Sequence, residues 1–285
     1  MNIQKGNLNL RIESYPDLGS WKNKALEYLR AEEGVNNLFW QIIKIRERSM
    51  QKGWAGNVFN QGKIILSAIH TGSNFLLLSH GSSDAVHALA QFARSEGWNL
   101  AGVSGPKSMV EHYLESSPSK EINVPPSSNR RFKIFQTARL KNKFGSSAHQ
   151  FGKIQKIDWP KARIWAQQFA LEADPPMDLV ASTQLAKRMY SEGNLFMLTD
   201  YENHPCAMAG FGRSTERFQV INMVYVPKHL RGLGIAKEIV FHMTAFAKDQ
   251  GYDECLLFSD WSGNGNLYKD MGCKYMGHFV ECDLV

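Results

Sequence analysis

Six consecutive residues carry the clearest chemistry in this chain of 285: Arg231-Gly232-Leu233-Gly234-Ile235-Ala236. The strand-like run Ile221-Asn222-Met223-Val224-Tyr225-Val226 precedes them. An amphipathic pattern follows, with Ile235, Ile239, Val240, Met243, Phe246 and Ala247 at helical spacing. The first N–H groups of a helix have no intrahelical partner, and the helix dipole adds partial positive charge there. Glycines before such a start let the backbone wrap closely around a phosphate. Arg231 and Lys228 can add side-chain charge. Strand, glycine loop and helix in that order read as an anion cradle.

A second segment lies downstream: Asn264-Gly265-Asn266-Leu267-Tyr268-Lys269-Asp270-Met271-Gly272-Cys273. Together the two segments resemble the GNAT N-acetyltransferases. The first fits that family's R/Q-x-x-G-x-G/A signature. The second resembles its N…LYxxxGF segment, with Cys273 in place of the aromatic. The resemblance covers residues 151–285. It implies transfer of an acetyl group from acetyl-CoA to a primary amine by direct attack on the thioester, without a metal. It assigns the pyrophosphate to Arg231, Gly232, Leu233, Gly234, Ile235 and Ala236, and the pantetheine arm to the backbone of Met223, Val224, Tyr225 and Val226. The thioester would enter where that strand splays from the next, Cys255–Ser259. Tyr268 would be the general acid for the leaving thiolate, and an N–H near Val224 would hold the oxyanion. Asn264 and Ser259 are candidates for polar contacts to cofactor or substrate.

One departure concerns the base. Many family members carry a glutamate on the strand that here reads Ile221-Asn222-Met223, and Asn222 cannot take a proton. Glu216, Glu202 and Asp260 are the nearby carboxylates. The histidines His204, His229, His242 and His278 are scattered. Trp165, Phe169 and Met177 are candidates for an acceptor pocket or for core.

The length favours two domains. The first half reads as helical over 22–52, a hairpin over Ile64–Ile69 and Asn74–Ser79, a helix from Ser83 to Gly97, a short strand Leu100–Val103 and a helix from Lys107 to Glu115. A proline- and serine-rich loop over 116–129 and a strand at Phe132–Gln136 follow, then a polar linker. The second half repeats the order: helices at Trp159–Phe169 and Val180–Tyr190, strands at Leu195–Leu198, Pro205–Arg213 and Phe218–Val226, a long helix from Gly234 to Gln250, a strand at Glu254–Ser259, a short helix over Asn266–Met271, and strand sequence to Val285. The expectation is an α/β (α+β) protein of two GNAT-like domains, 1–140 and 151–285, joined by a linker at 141–150. Each has a mixed, mostly antiparallel sheet flanked by helices. The first half's equivalent helix start, Leu78-Ser79-His80-Gly81-Ser82-Ser83-Asp84, lacks the arginine and the paired glycines. It reads as a degenerate domain that has lost cofactor binding.

Composition excludes several classes. With 43% hydrophobic residues, disorder of the whole chain is not expected. No apolar run is long enough to span a bilayer, and the start lacks a signal-peptide pattern, so a cytoplasmic protein is expected. Cys206, Cys255, Cys273 and Cys282 form no metal-ligand spacing and read as buried thiols. The net charge of +6 concentrates in the first half, densest from Arg130 to Lys143. A solvated strand and linker accounts for it better than a nucleic-acid surface. No sequence feature sets an oligomeric state. Besides an N-acetyltransferase, the sequence allows a non-catalytic acyl-CoA-binding or regulatory protein.

Overall fold

The computed structural model describes residues 2–5, 8–49, 53–116, 130–137, 149–260 and 266–284. They form two compact units. One contains Met1–Phe132 and Gly277–Val285, the other Lys133–Met276. The first holds β1 (Asn2–Lys5), β2 (Leu8–Ser14), α1 (Leu18–Ala31), α2 (Leu38–Ser49), β3 (Ala55–Asn60), β4 (Lys63–His70), β5 (Phe75–Leu78), α3 (Ser83–Ser95), β6 (Gly102–Pro106) and α4 (Lys107–Glu115). Then come β7 (Arg130–Gln136), β8 (Gln150–Lys153), α5 (Trp159–Glu172), α6 (Leu179–Ser191), β9 (Leu195–Thr199), β10 (Pro205–Ser214), β11 (Phe218–Tyr225), α7 (Ile235–Asp249), β12 (Glu254–Ser259), α8 (Leu267–Asp270) and β13 (Lys274–Asp283).

Within each unit the pairing follows one scheme. β1 to β5 run antiparallel in sequence, β5 pairs parallel with β6, and β6 pairs antiparallel with β13. In the second unit β8 to β11 run antiparallel, β11 pairs parallel with β12, and β12 pairs antiparallel with β7. Both sheets are therefore mixed and mostly antiparallel, as expected. The last strand of each comes from the other half of the chain: Lys133–Gln136 pairs with Leu256–Ser259, and Phe279–Asp283 with Gly102–Pro106. The contact boundary falls at Lys133 and again at Gly277 rather than at a single linker. No local signal distinguishes a strand that pairs with its own half from one that pairs with the other.

Four strands escape the sequence reading, β1, β2, β3 and β8, the last beginning where the linker is expected to end. β2 does alternate, with Leu10 and Ile12 buried. β3, Ala-Gly-Asn-Val-Phe-Asn, is buried at five of its six positions and so shows no alternation. β1 is four residues long. The helical stretch over 22–52 breaks after Ala31, where Asn36 Nδ2 donates to Leu29 O at 3.2 Å and Asn37 Nδ2 to Gly34 O at 2.7 Å. The loop expected over 116–129 and the linker at 141–150 lie almost wholly outside the described residues.

Two apolar layers hold β11 in the second unit. On one face Ile235, Ile239, Val240, Met243 and Ala247 of α7 pack with Phe196, Phe211, Ile221, Cys255 and Leu257. On the other, Ala162, Trp165, Ala166, Ala186 and Met189 from α5 and α6 pack with Met197, Met208, Met223 and Tyr225. Each large buried side chain contributes about 1.5–3 kcal/mol. Ile239 is fully buried in the layer that seats α7, so Ile239→Ala is expected to lower unfolding free energy by about 2–5 kcal/mol in urea titration. In the first unit the His70 ring lies 4.4 Å from Trp98 and 5.8 Å from Trp54. Burial, with a smaller push from Arg46, takes its pKa down from 6.5 to about 4. The unfolded chain takes up that proton first, so this contribution to stability falls as pH drops from about 6.5 to about 4. A His70→Gln variant should flatten that part of the profile of urea midpoint against pH.

Candidate functional site

The site begins with an irregularity in β11. Met208 pairs with Tyr225 and Gly210 with Asn222, so three steps on β11 face two on β10. Met223, inside that bulge, has φ +53, the left-handed region that a β-branched or bulky residue rarely enters. The bulge turns the strand. Parallel pairing with β12 runs from Phe218↔Glu254 to Ile221↔Leu257 and ends there, although β11 continues to Tyr225 and β12 to Ser259. The two strands diverge beyond that point. A cavity of about 240 Å³ opens between them, lined by Val224, Tyr225, Val226, Asp260, Leu267 and Tyr268, with Phe169 and Glu172 of α5 as a side wall.

A second cavity, about 260 Å³, shares Val226, Arg231, Ala236 and Leu267 with the first and is closed by Gly232, Gly234, Ile235 and Lys237. The cradle and the wedge are thus one groove. Gly232 and Gly234 have φ +83 and +82, and a Cβ at either would meet nothing within 4 Å. These glycines are required by backbone conformation, and the space above them is open. Gly234 is the N-cap of α7, with no side-chain cap, which leaves the N–H groups of the first turn facing the groove mouth. Leu233 is exposed there.

The guanidinium of Arg231 turns inward. Its Nε donates to Val226 O at 2.9 Å, a terminal nitrogen reaches Glu172 Oε2 at 2.6 Å, and the group lies 5.6 Å above the Tyr225 ring. It ties the loop to α5 and to the end of β11, and Glu172 offsets its charge. Sequence reasoning missed Glu172, because an ion pair across 59 residues leaves no local pattern.

Tyr268 stands in the first turn after Asn266. Asn266 Oδ1 accepts the N–H of Tyr268 at 3.0 Å and of Lys269 at 3.3 Å, and its Nδ2 donates to Ser259 Oγ at 3.1 Å. That chain of bonds fixes the tyrosine to the end of β12, with Asn266 as the cap before the short helix. The ring packs on Phe135, centroids 5.8 Å apart. It keeps part of its surface in the groove, yet desolvation by surrounding protein raises the phenol's pKa well above its ordinary value, with Cys273 and Asp260 adding to the shift. Asn264 lies outside the described residues.

The expected carboxylates are separated by the fold. Asp260 lines the groove, and its Oδ2 accepts the N–H of Asp174 at 3.2 Å. Glu216 sits in the turn at the opposite end of β11, about 26 Å of extended chain from Val224. Glu202 lies in the β9–β10 hairpin, 3.5 Å from His204. Asn222 is spent on the bulge: its Oδ1 accepts the N–H of Met223 at 2.7 Å. A larger cavity of about 740 Å³ lies beside α5, lined by Trp165, Gln168, Glu172, His204, Tyr225 and His229 among others, and Tyr225 donates to Gln168 at 2.8 Å. Glu172 and Tyr225 border both this cavity and the groove. Phe169 borders the groove, whereas Met177 lies in the α5–α6 loop. His242, on α7, stacks on Phe151 at 5.2 Å, and His278 is in β13.

Residues 156–272 match the acetyltransferase (GNAT) family. Solved structures agree in fold. A GNAT-family acetyltransferase from Colwellia psychrerythraea superposes with TM-score 0.54 at 12% identity, over 96% of this chain and 100% of that one. A GNAT-type N-acetyltransferase from Sphaerobacter thermophilus gives 0.56 at 11%, over 96% and 95%. A tandem GNAT protein from the clavulanic acid biosynthesis pathway gives 0.50 at 8%, over 96% and 98%. No curated protein sequence matches the chain. Among the described residues no helix is long and apolar enough to cross a membrane.

The Arg231–Glu172 pair is partly exposed, so its own strength is modest, on the order of 0.5–1 kcal/mol. Glu172→Gln should free positive charge at the glycine loop and tighten binding of a phosphate-bearing ligand such as CoA about threefold in calorimetric titration. Weaker binding would show that Glu172 shapes the groove rather than restrains its arginine.

Proposed function

We propose that the second unit is an N-acetyltransferase that moves an acetyl group from acetyl-CoA to a primary amine. The observation that carries this reading is the interrupted pairing of β11 and β12 beyond Ile221↔Leu257, with Tyr268 on the wall of the opening and the α7 start at its mouth. The pyrophosphate would rest on the N–H groups of Leu233 to Ala236. The pantetheine arm would pair with the unpaired edge of Val224–Val226, and the thioester would lie in the wedge. Arg231 serves there by holding the loop in shape rather than as a free cation.

The amine nitrogen attacks the thioester carbonyl carbon. The carbonyl oxygen takes up negative charge, held by the N–H of Val224. As the tetrahedral intermediate collapses, the C–N bond remains and the C–S bond breaks. The phenol of Tyr268 gives its proton to the departing thiolate. Its raised pKa keeps the phenol protonated at neutral pH, so the proton is present when the thiolate leaves. The surplus proton of the amine passes to Asp260, directly or through water, because Asp260 is the one of the three candidate carboxylates that borders the groove. Holding the amine against the carbonyl supplies most of the acceleration.

The first unit is proposed not to hold acyl-CoA. Its parallel strands stay closed to the end: a Cβ on Gly105 would lie 2.7 Å from Leu78 O. At its corresponding helix start the Ser82 hydroxyl accepts the Ala85 N–H at 3.3 Å, and a Cβ on Gly81 would meet Ile65 O at 2.5 Å.

Titration calorimetry of acetyl-CoA into the whole chain should give one site. Two sites would overturn the reading of the first unit, and none would overturn the transferase. Tyr268→Phe should lower kcat by about 10²–10⁴ with little change in acetyl-CoA affinity. Unaltered turnover would remove the acid role and favour an acyl-CoA-binding protein.

A further inference from the structure

We propose that His87, His112 and Glu115 of the first unit form a binding site for a divalent transition-metal ion of the zinc kind. The proposal is independent of the acyl-transfer reading. One donor atom from each of the three lies within 4.8 Å of the other two. His87 comes from α3, His112 and Glu115 from α4, and the shared core of Val86, Leu89, Ala90, Met109, Val110 and Tyr113 sets the two helices side by side. The imidazole rings lie with centroids 5.7 Å apart and planes tilted by 50°.

Hydrogen bonding prepares His87 for a metal. Ser116 Oγ donates its only hydrogen to His112 O at 2.7 Å. With that hydrogen on His112 O, the same oxygen, 2.7 Å from His87 Nδ1, accepts there and the ring proton sits on Nδ1. Nε2 is left with a bare lone pair, the donor that zinc takes. A hydroxyl bonded to the far ring nitrogen, fixing tautomer and ring orientation, is the usual support of a ligating histidine. Ser116 is itself held, since Arg94 donates to its carbonyl at 2.7 Å. On α4, His112 Nδ1 lies 3.2 Å from Glu115 Oε2, close to the spacing between neighbouring ligands of a tetrahedral ion. Zinc binds imidazole nitrogen and carboxylate oxygen at about 2.0–2.2 Å. Glu115 is exposed and long enough to make the remaining adjustment. Two histidines and one carboxylate, borderline nitrogen with hard oxygen, suit zinc, nickel or cobalt and do not suit calcium or magnesium. Water would complete the shell at the exposed side.

The test is titration of zinc chloride into the full-length protein at neutral pH in a buffer that does not chelate. One ion per chain is expected, with a rise in melting temperature that magnesium does not reproduce. Glu115→Gln, at the exposed end of α4, should weaken zinc binding at least about tenfold. The double variant His87→Ala/His112→Ala should abolish both the binding and the thermal shift. No zinc uptake by the unaltered chain overturns the site. So does undiminished uptake by the double variant. If the double variant does not fold, unchanged affinity in Glu115→Gln overturns it alone.

Discussion

Everything proposed for the second unit depends on one interruption of hydrogen bonding. Parallel strands normally satisfy each other's backbone groups to their ends. Here a single extra residue on β11 forces Met223 into the left-handed region and rotates the rest of the strand away from β12. The cost of that conformation is met by burial: Met223 and Tyr225 sit in the α5–α6 layer, while Ile221 sits in the α7 layer. The Asn222 side chain accepts the N–H that the bulge displaces. The backbone edge beyond it is then open to a ligand, in a fold that otherwise pairs its strands.

The first unit shows what the same strand order does without that interruption. β5 is only four residues long and stays against β6 as far as Gly105 and Leu78. Its helix start is capped by a serine side chain rather than left open. The two units share this pairing scheme and differ at the corresponding place by a bulge and a cap. The α3–α4 packing of that unit has a different consequence, since it gathers the histidines that the strand order leaves far apart in sequence.

Charge in the groove is more restrained than a basic motif implies. Arg231 is matched by Glu172, while the helix start adds backbone dipole beside Lys237, which lines the same groove. Tyr268, by contrast, owes its chemical character to its surroundings, because desolvation and the neighbouring Asp260 keep it protonated.

Much was readable in order along the chain. The glycine loop, the helix after it, the helix Lys107–Glu115 and the strand-turn-strand of β10 and β11 follow from local rules: open φ at glycine, a 3.6-residue apolar period, turn residues between short apolar runs. Tyr268 was legible through its motif, whereas its anchor Asn266, read as the first residue of the short helix, proved to be the cap before it. Tertiary structure alone decided which partner each strand takes, which of three carboxylates reaches the groove, that Arg231 closes on Glu172, and that His87 meets His112. These are pairings between residues tens of positions apart. Local propensity is silent about them because their energy is gained only when packed layers bring the groups within hydrogen-bonding distance.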